Sequence, residues 1–177
     1  TEKGTLETFQ SKFQPVAAPQ AILLGARPLK PEKSLNFTAG ITFEPSRSLR
    51  LTIDAYQIKI TDRIVKTEQL RGPAVAAILA SQGFSDLAAA QYFTNAIDTR
   101  TRGLDVVAEY TLETGDAGTF RTTAAYAYNK TKILNIIDNP PELNGIDITL
   151  FGRQAIQDLL VSSPRDKLIL GVDWAFG

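Results

Sequence analysis

The chain has 177 residues, enough for one domain with a sizeable core, and its 19 lysines and arginines balance 19 aspartates and glutamates. Zero net charge argues against a nucleic-acid partner, and the absence of histidine and cysteine excludes Ser-His-Asp and Cys-His catalysis, disulfides and thiolate metal sites. There is no methionine, so the sequence is expected to be a processed product or a piece of something longer. The longest apolar run, "AVAAILA" at 74–80, is far shorter than the ~18 residues of a membrane-spanning helix, so only a β-barrel could carry this chain across a bilayer.

Residues 1–33 show no period; "PVAAPQ" and "ARPLKPE" are punctuated by proline and are expected to be loop. From Ser34 the alternation of a strand begins, with Phe37, Ala39, Ile41 and Phe43 on one parity. It is expected to end at Glu44-Pro45, with "EPSRS" as a short turn, because proline donates no ladder hydrogen bond. In "LRLTIDAYQIKITDRIV", Leu49, Leu51, Ile53 and Ala55 share a parity, and then Tyr56, Ile58 and Ile60 become the apolar set. That slip is read as a bulge, or as the point where the strand leaves apolar surroundings. Residues 66–92 break the pattern, and "GPAVAAILASQGF" predicts a helix over about 73–82, with Pro73 at its start and Gly83 just past its end.

Alternation returns near Phe93 and runs to Leu112, with a break expected around 98–102. Here Leu104, Val106, Ala108, Tyr110 and Leu112 oppose Asp105, Val107, Glu109 and Thr111. "ETGDAG" is a second short turn, and a strand follows over about 118–132, with Phe120, Thr122, Ala124, Tyr126 and Tyr128 on one face. Residues 133–165 are long and irregular, with a turn at "NPPELNG" and a short helix in "GRQAIQDLLVSSP" stopped before Pro164. The last strand, "DKLILGVDWAFG", sets Leu168, Leu170, Val172, Trp174 and Phe176 on one face.

The expected fold is all-β: an antiparallel up-and-down meander of about five long strands, part of a transmembrane β-barrel, with short helices in the long loops. Its connections alternate in length, short at 44–48, long at 65–92, short at 113–118 and long at 133–165. In a meander, alternate connections share an end, so short turns and long loops segregate, as in outer-membrane barrels. Aromatic residues fall toward both ends of the apolar stripe: Phe43, Phe120, Trp174 and Phe176 near the short turns, Tyr126 and Tyr128 toward the other end. The opposite face carries Asp54, Asp105, Glu109, Arg121 and Asp173, which suits a wet or plugged lumen and not a dry core. The competing reading is a soluble antiparallel sheet with one wet face.

The stretch "LKPEKSLNFTAGITFEPSRSLRLTIDAYQIKITDRIV" resembles one found in TonB-dependent outer-membrane receptors. The resemblance rests on Leu29, Lys30, Pro31, Glu32 and Ser34, then on Asp54, Tyr56, Ile58, Ile60, Asp62, Arg63 and Ile64. In the returning strand it rests on Phe93, Asn95, Gly103 and Asp105. It covers about residues 28–131 with good specificity, and "LILGVDWAFG" less specifically. Such receptors are barrels of about 22 strands with a plugged lumen. The resemblance implies that residues 1–177 are a C-terminal fragment of the barrel domain, with plug and remaining strands absent. It implies a Gram-negative outer membrane and TonB-energised uptake of a scarce nutrient such as an iron–siderophore complex. The implied partners are the TonB complex (through the absent N-terminal part), a small-molecule ligand and the lipid bilayer. The isolated fragment is expected to be unfolded, to oligomerise through open strand edges, or to be the ordered part of a larger molecule.

No catalytic residue, cofactor or metal site is expected; Asp138, Asp147 and Asp158 lack calcium-loop spacing. Asp54, Asp105, Glu109 and Arg121 are candidates to face the plug, the alternative being ordinary solvated lumen residues. Tyr92 and Phe93 are candidate ligand contacts, with packing the favoured alternative. Glu32 either braces a loop or sets the geometry with which the chain joins its strand, the latter being favoured. "NFT" and "NKT" match the glycosylation pattern but lie in predicted strands and are discounted. Three functions compete: active import, a soluble all-β ligand- or carbohydrate-binding module, and an outer-membrane barrel enzyme, which the lack of histidine weakens.

Overall fold

The computed structural model describes residues 10–161 and 163–176. In chain order the elements are β1 (Gln10–Phe13), α1 (Pro19–Leu23), β2 (Lys33–Ser46), β3 (Leu49–Lys66), β4 (Leu70–Arg71) and α2 (Pro73–Ser81). They continue with β5 (Leu87–Gln91), β6 (Phe93–Glu113), β7 (Thr119–Ile136), α3 (Arg153–Val161) and β8 (Asp166–Ala175). Five strands form one sheet in the order β2-β3-β6-β7-β8, the meander expected from the alternation, and the sheet is open at both edges. β6 runs for 21 residues and β3 and β7 for 18 each, several times a usual soluble strand of about five or six. A second sheet has the order β1-β5-β4, with β1 parallel to β5 and β4 antiparallel to it.

Several sequence expectations need correction. β2 does not stop at Glu44-Pro45 but runs to Ser46; it is an edge strand of its sheet, and an edge position tolerates proline. β6 has no break at 98–102. "DTRTR" is polar on both faces, which hides the period, yet the Thr101 and Thr131 hydroxyls meet at 2.8 Å across β6 and β7. β7 continues to Ile136. The presumed loop over 1–33 contains β1 and α1, while its first nine residues lie outside the described ones. The region 66–92 holds β4 and β5 besides the expected helix.

The slip in β3 is a change of surroundings and not a bulge between Arg50 and Gln57. Arg50 meets Glu44 on β2 and Glu109 on β6, the hydroxyls of Thr52 and Thr42 lie 3.3 Å apart, and Tyr56 lies against Gly103. The next residue, Gln57, turns to the other face and accepts a 2.7 Å bond from Arg102 Nε. Parity is therefore continuous, and only the chemistry of each face changes. The irregularity comes later, at Asp62, whose φ of 55° places it in the left-handed region.

The chain divides into two compact units, one of residues 1–33, 61–98 and 135–159 and one of residues 34–60, 99–134 and 160–177. Every buried hydrophobic residue among the described residues belongs to the first unit: for example Leu24, Leu70, Val75, Leu79, Ile97, Leu143 and Phe151. In α2, Val75 and Leu79 are four residues apart and bury one stripe. The helix ends in a left-handed Gly83, with Gly83 N bonded to Ala80 O and Phe84 N to Leu79 O. The second unit is sheet, and large apolar side chains stand bare on it: Phe37, Ile41 and Phe43 on β2, and Leu168, Leu170, Val172 and Trp174 on β8 are each about 60–70% exposed.

Candidate functional site

The bare face follows from strand parity. β7 and β8 pair from Thr119↔Ala175 to Tyr128↔Asp166, which sets Phe120 beside Trp174, Thr122 beside Val172, Ala124 beside Leu170 and Tyr126 beside Leu168. At the short-turn end, Phe120 and Trp174 stack at 5.7 Å, Phe176 meets Trp174 edge-on at 5.8 Å, and the indole N–H donates to Ala117 O at 2.8 Å. At the other end the Tyr126 hydroxyl donates to Asp166 at 2.6 Å and Arg165 donates to the Tyr128 hydroxyl at 3.2 Å. From Phe120 to Tyr128 the strand climbs about 27 Å, or about 20 Å along the axis of a barrel whose strands tilt by about 40°. That is close to the apolar band of about 25 Å on such barrels.

The opposite face is ionic. Arg50 donates to Glu44 at 2.7 Å and lies 4.0 Å from Glu109. Glu44, Arg50, Glu109 and Arg121 line one open concavity of about 380 Å³. Of the four plug-facing candidates, Glu109 and Arg121 therefore come together, and Glu44 and Arg50 complete the cluster. The signal for those two was already in the alternation, since both occupy the polar parity of their strands. Asp54 and Asp105 lie outside the concavity. The Asp54 carboxylate occupies the space that a Cβ at position 40 would take, so a larger residue there would require the carboxylate to move. The register that brings Arg50 to Glu109 and Tyr56 to Gly103 sets Asp54 opposite Asp105.

In the first unit the polar residues serve structure. Asn95 accepts from Lys30 N at 2.7 Å and donates to Lys30 O at 2.9 Å and Asp62 O at 2.6 Å, while Asp62 N donates to Asp98 at 2.9 Å. Glu32 accepts from Ile64 N at 2.6 Å, which ties the chain just before β2 to β3 and agrees with the favoured reading, strand-entry geometry. Lys30, Glu32, Asp62, Ile64 and Asn95 thus hold the chain where β2 begins against the neighbouring segments of β3 and β6. Tyr92 is 1% exposed, its hydroxyl donates to Leu24 O at 2.7 Å, and its N–H reaches Thr67 Oγ1 at 3.2 Å. The ring belongs to the core; burial first, and Glu142 second, push its ionisation well above the ordinary tyrosine range. Phe93 is exposed and packs edge-on against Phe13 at 5.0 Å. Glu142 is ion-paired with Arg27, whose hydrogen bond holds the carboxyl below its usual range.

Among the described residues no group of His, Cys, Asp and Glu could hold a metal ion, and no helix is long and apolar enough to cross a membrane. Residues 5–177 match the model of the family described as TonB dependent receptor-like, beta-barrel. The chain belongs to that family. It is a family of outer-membrane receptors and transporters, not an enzyme class. No curated protein and no solved structure matches the chain.

Proposed function

We propose that the chain forms part of the barrel of a receptor in a Gram-negative outer membrane, importing a scarce and bulky nutrient such as an iron–siderophore complex with energy delivered by TonB. The observation that carries the reading is the second unit's sheet. An apolar stripe capped by aromatic side chains at both ends covers one face, while Glu44, Arg50, Glu109 and Arg121 cluster on the other. A soluble sheet would bury the apolar face against other elements; lipid makes that burial unnecessary. The open edges at β2 and β8 are paired in this reading by further strands of the same receptor. On the ionic face, Asp54, Asp105, Glu109 and Arg121 face the plug. The first unit, with its own packed core, presents a preformed body to the ligand, and exposed Phe93 is its candidate contact.

The test begins with fractionation of source cells, using an antibody to this segment. Confinement to the outer membrane supports the reading, and recovery from the soluble fraction replaces it with a small ligand-binding module. Deletion of the gene should then abolish growth on one iron–siderophore complex as sole iron source, and deletion of TonB should do the same. Unchanged growth across a panel of such complexes would remove iron from the proposal and direct the search to other nutrients.

A further inference from the structure

At the end of the second unit's sheet away from the short turns, the outward face changes from apolar to strongly basic. Arg100 and Arg102 on β6 share the parity of Leu104, Val106 and Ala108, and Lys130 and Lys132 on β7 share that of Ala124, Tyr126 and Tyr128. The two strands are in phase, because Thr101 and Thr131, of the opposite parity, meet through their hydroxyls at 2.8 Å. That register sets Arg100 opposite Lys132 and Arg102 opposite Lys130, two like-charged cross-strand pairs in succession. Like charges directly opposite one another destabilise a sheet. Arg100, Arg102, Tyr128, Lys130 and Lys132 line a single concavity of about 230 Å³.

Two acids share this face, Asp98 on β6 and Asp166 on β8, but among the described residues neither is ion-paired with any of the four cations. Ion pairs such as Arg27–Glu142, Arg50–Glu44 and Arg50–Glu109 involve none of these four cations. Arg102 gives only its Nε to Gln57. Asp166 accepts from the Tyr126 hydroxyl and keeps its charge, which faces the neighbouring Arg165. Arg165 adds a further positive charge, its guanidinium 5.6 Å from the Tyr128 ring.

We propose that Arg100, Arg102, Lys130 and Lys132, with Tyr128 at their base, bind the phosphate-bearing head group of a membrane lipid. The inference rests on the membrane-spanning reading above. In that reading Tyr128 belongs to the aromatic level at the membrane–water interface. Lys130 follows it by about 7 Å along the strand, at the depth of head groups and not of acyl chains. Guanidinium groups supply paired donors suited to phosphate oxygens, and lysines supply flexible point charges. The long-loop end of such barrels faces outward, so the lipid is one of the outer leaflet. Its acyl chains would lie along the stripe that begins with Leu104 and Tyr126.

The experiment uses the full receptor in detergent and native mass spectrometry, titrating diphosphorylated lipid A, its monophosphoryl form, and inorganic phosphate. The wild type should bind the diphosphorylated lipid at least about tenfold more tightly than the R100Q/R102Q/K130Q/K132Q variant, and loss of one phosphate from the lipid should weaken it. Removing the like-charge pairs should also raise the variant's midpoint of thermal unfolding in lipid-free detergent and lower it, relative to wild type, once the lipid is present. That reversal of sign is not expected of a merely damaged barrel. Should the fourfold variant fail to fold, R102Q/K130Q carries the same comparison. Equal lipid binding by wild type and a folded variant would overturn the proposal, as would displacement of the lipid by equimolar inorganic phosphate, which would assign the site to a free anion. If the wild-type receptor is absent from the outer-membrane fraction, the membrane reading itself has failed; if it is present and binds no lipid, only the present inference has.

Discussion

The two units use the same chain and solve burial in opposite ways. The first packs Leu24, Leu70, Val75, Leu79, Tyr92, Ile97 and Leu143 to near-complete exclusion of water, as any water-soluble core does. The second leaves Phe37, Ile41, Leu168, Leu170, Val172 and Trp174 open and places its charges on the reverse face. One unit has made its own apolar medium, and the other requires one from outside. Hydrophobicity alone therefore does not distinguish them. What does is whether the apolar residues converge on each other or line one side of a sheet.

Substitutions in the two units should separate accordingly. Leu79→Ala removes a fully buried side chain and is expected to cost about 2–5 kcal/mol. Amide exchange should rise throughout the first unit while the receptor still assembles in the outer membrane; a loss of assembly would mean that the units are not separable. Leu170→Arg, opposite Ala124 midway between the aromatic ends, should cost about 2–4 kcal/mol in phospholipid vesicles, read by urea unfolding. Little or no cost would refute the lipid-facing assignment.

A smaller effect is expected at Gly103, where an added Cβ would run into the Tyr56 ring. Gly103→Ala should cost about 1–3 kcal/mol from overpacking, and Tyr56→Ala in the same chain should remove most of that increment. Additive losses would show that ring and glycine do not share one socket. In the first unit, Tyr92→Phe deletes the hydroxyl that satisfies Leu24 O and should cost about 1–3 kcal/mol. Because burial raises the Tyr92 ionisation, its contribution is complete below the ordinary tyrosine value and declines as pH rises above it. Ultraviolet titration of the folded receptor should therefore find Tyr92 silent where exposed tyrosines ionise.

The smallest effect concerns Glu142. Its carboxyl is held low by Arg27, so the pair stabilises above the ordinary carboxylate value and its contribution fades as pH falls through the depressed folded value. Glu142→Gln should flatten the acid side of the pH profile of amide exchange at residues 21–27. An unchanged acid limb would assign that pH dependence to another group.

The same contrast explains what was legible in the sequence. A sheet with lipid on one side and water on the other enforces a period of two over many residues, and β2, β3, β6, β7 and β8 appeared almost whole. Legibility failed where both faces carry the same chemistry. "DTRTR" at 98–102 hid the continuity of β6, and the tyrosine–isoleucine run of β3 imitated a bulge. It failed again in the first unit. β5 is "LAAAQ", too short and too uniform to show a period, and its parallel partner β1 lies more than seventy residues away. Of the ionic face, Glu109 and Arg121 could be found from parity alone. Their meeting with Glu44 and Arg50 depended on register, which no single strand encodes. Tyr92 packs, as its favoured reading had it, but its position among loops concealed how complete a core those loops have.

The first unit is assembled from three separate stretches of chain. Leu150 from the last of them accepts the backbone N–H of Glu68, and β1 from the first pairs with β5 in the second. Such a body has high contact order, and its folding must await closure of long loops. During synthesis, Leu70, Val75 and Leu79 emerge well before Leu143, Leu150 and Phe151 exist to cover them. A nascent chain halted between these points displays an apolar surface that the finished protein never shows, and it would depend on chaperones to avoid aggregation.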